Sequence, residues 1–105
     1  MKRFEIWLMQ FDPSKGVEMK KTRPAVIISP NSINAHLGTI IVAPLTSTIK
    51  KYPTRISTNF DNKGGQIALD HIRSVDKSRL KKKVGQLDPK EATAVCRLLQ
   101  VLFEE

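Results

Sequence analysis

Arg23 stands directly ahead of Pro24 and the apolar run Ala25-Val26-Ile27-Ile28, which fixes one cation at the mouth of a buried strand. Pro24 locks its own φ and biases Arg23 toward extended backbone, and four apolar residues are too few for a helix but suit a strand inside a core. On so rigid a stub the planar guanidinium presents its fork in one orientation, as phosphate recognition requires. Thr46 and Ser47 follow Pro44 at the end of the next apolar run, Thr39-Ile40-Ile41-Val42-Ala43. If the two strands pair antiparallel through residues 30–38, the start of one lies beside the end of the other, and Arg23 becomes a neighbour of Thr46. An arginine fork with hydroxyls at hand suits cleavage of RNA by its own 2′-hydroxyl. The fork holds the scissile phosphate and offsets its developing charge, while hydroxyls and a carboxylate orient the attacking group. The competing reading is a surface arginine paired with a carboxylate beside a plain turn at Thr46-Ser47. On these residues alone the competing reading has the better claim.

Other polar residues carry the same double reading. Glu18 is either the ion-pair partner of Arg23 or a loop carboxylate. Asp70 falls in a strand-like stretch next to Leu69 and close to Ile72, so its charge either pairs with a cation or lines a groove, and the groove is the expectation. His71, alternating to the opposite face, reads as half-buried and hydrogen-bonded. Lys77, Arg79, Lys81, Lys82 and Lys83 form a solvated face or, with Lys50, Lys51 and Tyr52, a surface that tracks phosphates. No metal site is expected: His36 and His71 are far apart, and neither HExxH nor paired CxxC occurs. No serine sits in a G-x-S-x-G elbow.

The elements that must position these residues are short. Phe4 to Phe11 reads as a first strand and Asp12 to Gly16 as a loop; Ala25 to Ser29 and Thr39 to Ala43 are the next two strands, the latter closed by Pro44. Pro30-Asn31-Ser32 opens a helical turn reaching Leu37. Arg55 to Phe60 alternates weakly, Asp61 to Gly65 is a turn, Gln66 to Val75 is one long strand with a bend, and Lys81 to Leu87 adds a last strand. Asp88 as N-cap, Pro89 at the first position and Glu91 three residues after the cap start a helix. Its apolar stripe is Ala92, Val95, Cys96, Leu99, Leu102 and Phe103. Short strands with regular turns and one terminal helix predict a small, strongly bent antiparallel sheet or barrel.

The chain of 105 residues is expected to be one domain with a single modest core. Its 18 Lys and Arg against 10 Asp and Glu leave a net charge of +8, enough to draw a polyanion and silent on which one. Aromatic residues are few, which leaves a broad base-stacking platform under-supplied. The single Cys96 reads as a core residue rather than a reactive thiol. With no apolar run of membrane-spanning length and no signal-peptide pattern, a soluble cytoplasmic protein without membrane contact is expected.

Taken together, Glu5-Ile6-Trp7-Leu8, Phe11-Asp12-Pro13, Lys15-Gly16, Glu18, Thr22-Arg23-Pro24-Ala25-Val26-Ile27-Ile28, Val42-Ala43-Pro44-Leu45-Thr46-Ser47 and Ile72 to Leu80 resemble, in order, the MazF/PemK (Kid) family of toxin endoribonucleases. The resemblance implies an SH3-like β-barrel with appended helices, a homodimer, and metal-independent, cofactor-free cleavage of single-stranded RNA to a 2′,3′-cyclic phosphate and a 5′-hydroxyl. It also implies a cognate antitoxin whose acidic C-terminal segment lies in the RNA groove and with which the toxin contacts DNA. The family's catalytic pair falls on Arg23 and Thr46. Ser47, Glu18 and Asp70 fall on groove positions; the basic surface adds Lys50, Lys51 and Tyr52 as expected RNA contacts, and Lys20 and Lys21 serve either RNA contact or solubility. PemK-type members carry a histidine and an arginine where this chain has Val17 and Ala68, and Met19 with Lys20-Lys21 replaces a more neutral run. The base and acid of that subtype therefore do not carry over. The rival classes are a CcdB-like toxin that binds gyrase without RNA chemistry, whose C-terminal helix end Val101 to Glu105 does not resemble, and a basic RNA-binding module without turnover.

Overall fold

The computed structural model describes residues 1–10 and 22–104. It contains strands β1 (Glu5–Gln10), β2 (Thr22–Ile27), β3 (Thr39–Thr46), β4 (Arg55–Phe60), β5 (Lys63–Ala68), β6 (Arg73–Asp76) and β7 (Leu80–Gln86), with helices α1 (Asn31–Asn34) and α2 (Pro89–Leu102). The strands form one curled antiparallel sheet in the order β4-β5-β3-β2-β1-β7, with β6 also on β3. Two register shifts where β1 meets β7 mark bulges, which bend and twist the sheet. No helix among the described residues is long and apolar enough to cross a membrane.

The apolar run after Arg23 is buried on both faces of the sheet, which is why it does not alternate with polar residues. Val26 and Ile28 join Ile6, Ala43, Ile67 and Leu69 in a cluster that also holds Val95 of α2, with Leu98, Leu99 and Leu102 packed against it. Ala25 and Ile27 point the other way, into a cluster with Met9, Ile40, Val42, Val75 and Leu80. The helix stops one residue short of the expected stripe: Phe103 lies at the C-cap and is exposed.

Pro44 does not close β3, contrary to expectation. The amide of Ile28 donates to the carbonyl of Ile41, so Ala25 and Pro44, opposite in register, are a non-hydrogen-bonded pair. The nitrogen of Pro44 therefore faces the other edge of β3, between the ladder to β6, which ends at Val42, and the ladder to β5, which begins at Leu45. No donor is required there, and the strand runs on to Thr46.

The expected single strand from Gln66 to Val75 is two strands separated by a 3-10 turn at Leu69–His71. Leu69 is buried and its amide bonds the carbonyl of Thr54, which turns the chain from the end of β3 toward its beginning. Asp70 and His71 thus sit on a corner. The His71 side chain is exposed rather than half-buried, with Nε2 3.3 Å from Asp70 Oδ2. The turn expected over Asp61 to Gly65 is confined to Asp61 and Asn62, both at positive φ (57° and 62°), so that Lys63 to Gly65 belong to β5. Two such residues joining paired strands match the twist of a hairpin, and Asp and Asn tolerate the left-handed region best among residues with side chains.

Candidate active site

The expected antiparallel pairing of β2 and β3 is present, with Ala25 opposite Pro44, Val26 opposite Ala43 and Ile27 opposite Val42. Ala25 and Pro44 are the last paired residues, and Arg23 and Thr46 lie two positions beyond them on their strands. Pro24 has no N–H to offer β3, so the ladder ends before it and the two strand ends open into a cleft. The cleft has a volume of about 480 Å³; Arg23, Thr46 and Ser47 line one side, and Phe60, Asp61, Lys63 and Gly65 of the β4–β5 hairpin line the other. Arg23 is exposed, and no described carboxylate forms an ion pair with it.

Thr46 is held in place by its own turn. Its Oγ1 accepts a hydrogen bond from the amide of Thr48 at 3.1 Å, which leaves the hydroxyl proton to be donated into the cleft. From the opposite side β5 passes so close that a Cβ on Gly65 would lie 2.8 Å from the carbonyl oxygen of Thr46. Only glycine fits there, and the position of Thr46 depends on it.

Asp70 lies apart from the cleft lining. Arg55 Nε reaches Asp70 Oδ1 at 2.8 Å and Arg55 Nη2 reaches Oδ2 at 3.2 Å, while the hydroxyl of Thr54 donates to Oδ1 at 3.0 Å. The Arg55 fork, outweighing the effect of burial, lowers the Asp70 pKa to about 2, and Asp70 in turn raises that of Arg55. Lys50, Lys51 and Tyr52 are exposed on the segment that continues from Ser47 to β4. Glu18, Lys20 and Lys21 lie outside the described residues.

A second ionised carboxylate stands at the far side of the sheet. Burial acts to raise the Glu5 pKa, but the amide of Lys2, the indole N–H of Trp7 and Lys83 Nζ at 3.2 Å outweigh it and hold the value at about 2. Among the described residues no group of three or more His, Cys, Asp or Glu is arranged to hold a metal ion.

Sequence reasoning missed Phe60, Asp61, Lys63 and Gly65 as cleft residues and Arg55 as the partner of Asp70. The adjacent glycines Gly64 and Gly65 were the available signal, because glycine inside a strand marks a close approach of another backbone.

A curled antiparallel sheet, a helix across one face, and an arginine and a threonine lining one cleft define a small β-class protein with a cation at its candidate site. A family model described as "PemK-like, MazF-like toxin of type II toxin-antitoxin system" matches residues 2–103. Endoribonuclease MazF9 of Mycobacterium tuberculosis (strain ATCC 25618 / H37Rv) is 32% identical, over 96% of this chain and 94% of its own length. MazF (Form-I) from Deinococcus radiodurans has the same fold, with a TM-score of 0.80 at 26% identity, covering 100% of this chain and 97% of that one. The MazE-MazF structure (Form-III) from the same organism gives 0.78 at 28% identity, covering 97% and 94%. The chain belongs to the PemK-like, MazF-like family of type II toxins.

Proposed function

We propose that the protein is the toxin of a type II pair and an endoribonuclease that cuts single-stranded RNA without a metal or cofactor. The observation that carries this reading is that Arg23 and Thr46 line one cleft, just beyond Ala25 and Pro44, the last paired residues of β2 and β3. The RNA's 2′-oxygen attacks the adjacent phosphorus, the bond to the 5′-oxygen breaks, and the products are a 2′,3′-cyclic phosphate and a 5′-hydroxyl. The 2′-hydroxyl loses its proton and the departing 5′-oxygen gains one. Arg23 holds the phosphate's non-bridging oxygens and stabilises the charge that grows on them. The Thr46 hydroxyl, oriented by the Thr48 amide, donates to the same group, and Ser47 extends the polar wall. Glu18, Lys20, Lys21, Lys50, Lys51 and Tyr52 flank the bound strand.

The name endoribonuclease borne by a 32% identical relative supports the activity. The MazE-MazF structure supports an antitoxin partner, whose acidic segment would compete with RNA for the cationic groove. The toxin works as a homodimer of single-domain subunits in the cytoplasm. Arg23→Ala tests the reading: cleavage of a long single-stranded RNA in EDTA should fall at least 100-fold, the order of loss seen when one charge-stabilising donor is removed, with the fold intact. Undiminished cleavage would remove Arg23 from the chemistry. A mapped 3′-end other than a cyclic phosphate would overturn the 2′-hydroxyl route.

A further inference from the structure

Arg55 is nearly buried, with its side chain 7% exposed, and it binds in two directions. Toward the corner of the sheet it forks onto Asp70. Toward the cleft its Nη1 donates to Gln66 Oε1 at 3.3 Å and reaches the carbonyl of Thr48 at 3.5 Å, while its Cζ lies 5.2 Å from the centre of the Tyr52 ring.

Each of these contacts bears on residues 47–54, the segment between β3 and β4. Gln66 accepts from the amide of Lys50 at 3.1 Å and donates to the carbonyl of Lys50 at 3.0 Å, so its side chain supplies one rung of a β ladder to a stretch that has no strand partner. Asp70 receives the hydroxyl of Thr54 at the other end of the segment. Thr48, whose carbonyl faces Arg55, is the residue whose amide fixes the hydroxyl of Thr46. Gln66 itself pairs with Thr46 in the ladder between β5 and β3. The chain of contacts thus runs from Asp70 through Arg55 to both ends of the segment, Thr54 at one and Thr48 at the other.

We infer that Arg55, anchored on Asp70 and working with Gln66, is a positioning residue that holds residues 47–54 ready for single-stranded RNA. This rests on the reading of the cleft as an RNA-cleaving site. The side chains of Ser47, Thr48, Lys50, Lys51 and Tyr52 face solvent, so little packing would order this segment without the network. Order achieved before binding is entropy that RNA does not have to remove. Asp70 acts in this arrangement as the counter-ion of the anchor. Lysine cannot replace Arg55, because a single ammonium cannot fork onto Asp70 while also reaching Gln66 and the Thr48 carbonyl.

Tyr52 is the only tyrosine in the chain, so fluorotyrosine incorporation gives one fluorine signal that reports on the segment without RNA. In Arg55→Lys this signal should shift and broaden relative to wild type. The KM for a defined RNA should rise about tenfold while kcat stays within about threefold, the pattern of lost binding rather than lost chemistry. Asp70→Asn, which retains an acceptor for Thr54, should move both readouts the same way by less, and it serves as the test if Arg55→Lys does not fold. An unchanged fluorine signal and KM in a folded variant would overturn the inference. So would a large loss of kcat with KM and the signal unchanged, since Arg55 would then act on the chemistry. A wild type that cuts no RNA would overturn the site reading and the RNA role together, while the fluorine signal would still tell whether Arg55 holds the segment.

Discussion

Thr58 of β4 donates its hydroxyl to Glu91 Oε2 while the other oxygen of the same carboxylate accepts from the amide of Asp88, so one side chain both caps α2 and ties it to the hairpin that walls the cleft. Asp88 completes the reciprocal cap by accepting from the amide of Glu91 at 2.8 Å. Glu91→Ala should therefore cost about 1–3 kcal/mol, the sum of a lost cap and a partly buried hydroxyl left unpaired. Urea denaturation measures this, and a loss below about 0.5 kcal/mol, the scale of an ordinary surface change, would argue against the tie.

Gly65 and Gly64 form a matched pair for testing the close approach beside Thr46. A methyl group at Gly65 meets the Thr46 carbonyl at 2.8 Å, whereas at Gly64 its nearest neighbour is Asn59 Oδ1 at 3.8 Å. Gly65→Ala should destabilise by about 1–3 kcal/mol through overpacking and reduce RNA cleavage by displacing Thr46. Gly64→Ala should leave cleavage close to wild type. Equal effects of the two would show that proximity to Thr46 is not what matters.

Salt dependence separates phosphate contacts from lysines that merely face water. Each phosphate neutralised on a single strand contributes about 0.7 to the slope of log affinity against log salt. Removing Lys50 and Lys51 together should flatten that slope by about 1.4 if both touch the backbone. Binding to an RNA with a 2′-deoxy group at the cut site, titrated across salt, supplies the measurement. A slope unchanged in the double variant would leave these lysines outside the bound strand's path.

Acid should weaken the fold over a defined window. Glu5 and Asp70 both have folded-state pKa values of about 2, below their ordinary values of 4.5 and 3.8. Between those limits the unfolded chain binds more protons than the folded one, so stability rises with pH there. Their contribution is fully present above about pH 5 and disappears as pH falls toward 2. Melting temperature followed from pH 6 to pH 2 should drop through this interval, and Glu5→Gln should make the drop shallower. A wild-type profile flat over that range would contradict the ionised state of both groups.

The antiparallel meeting of β2 and β3, which brings Arg23 and Thr46 to one cleft, was legible because a short connection and two apolar runs left these strands one simple way to meet. The start of α2 was legible because a capping box is a local code. The contacts of Asp70 were not: its partners Thr54 and Arg55 stand at the start of β4, where Arg55 pairs with Ala68 and the 3-10 turn at Leu69–His71 brings Asp70 back to them, and no local pattern announces that turn. Without it Arg55 reads as one polar residue in a weakly alternating strand, and Asp70 reads as a charge in want of a groove. Pro44 misled for a related reason: proline stops a strand only where its nitrogen faces a partner, and which edge it faces is a property of the sheet.

The β4–β5 hairpin joins β3 through only two paired positions, Leu45 with Ile67 and Thr46 with Gln66, yet it carries an entire wall of the cleft. Arg23 and Thr46, by contrast, belong to strands anchored in both apolar clusters. Exchanging residues 59–64 between family members, with the cut sites of each hybrid mapped, tests whether this wall sets the preference for particular bases: the preference should follow the hairpin, and a preference that stays with the recipient would place base recognition elsewhere.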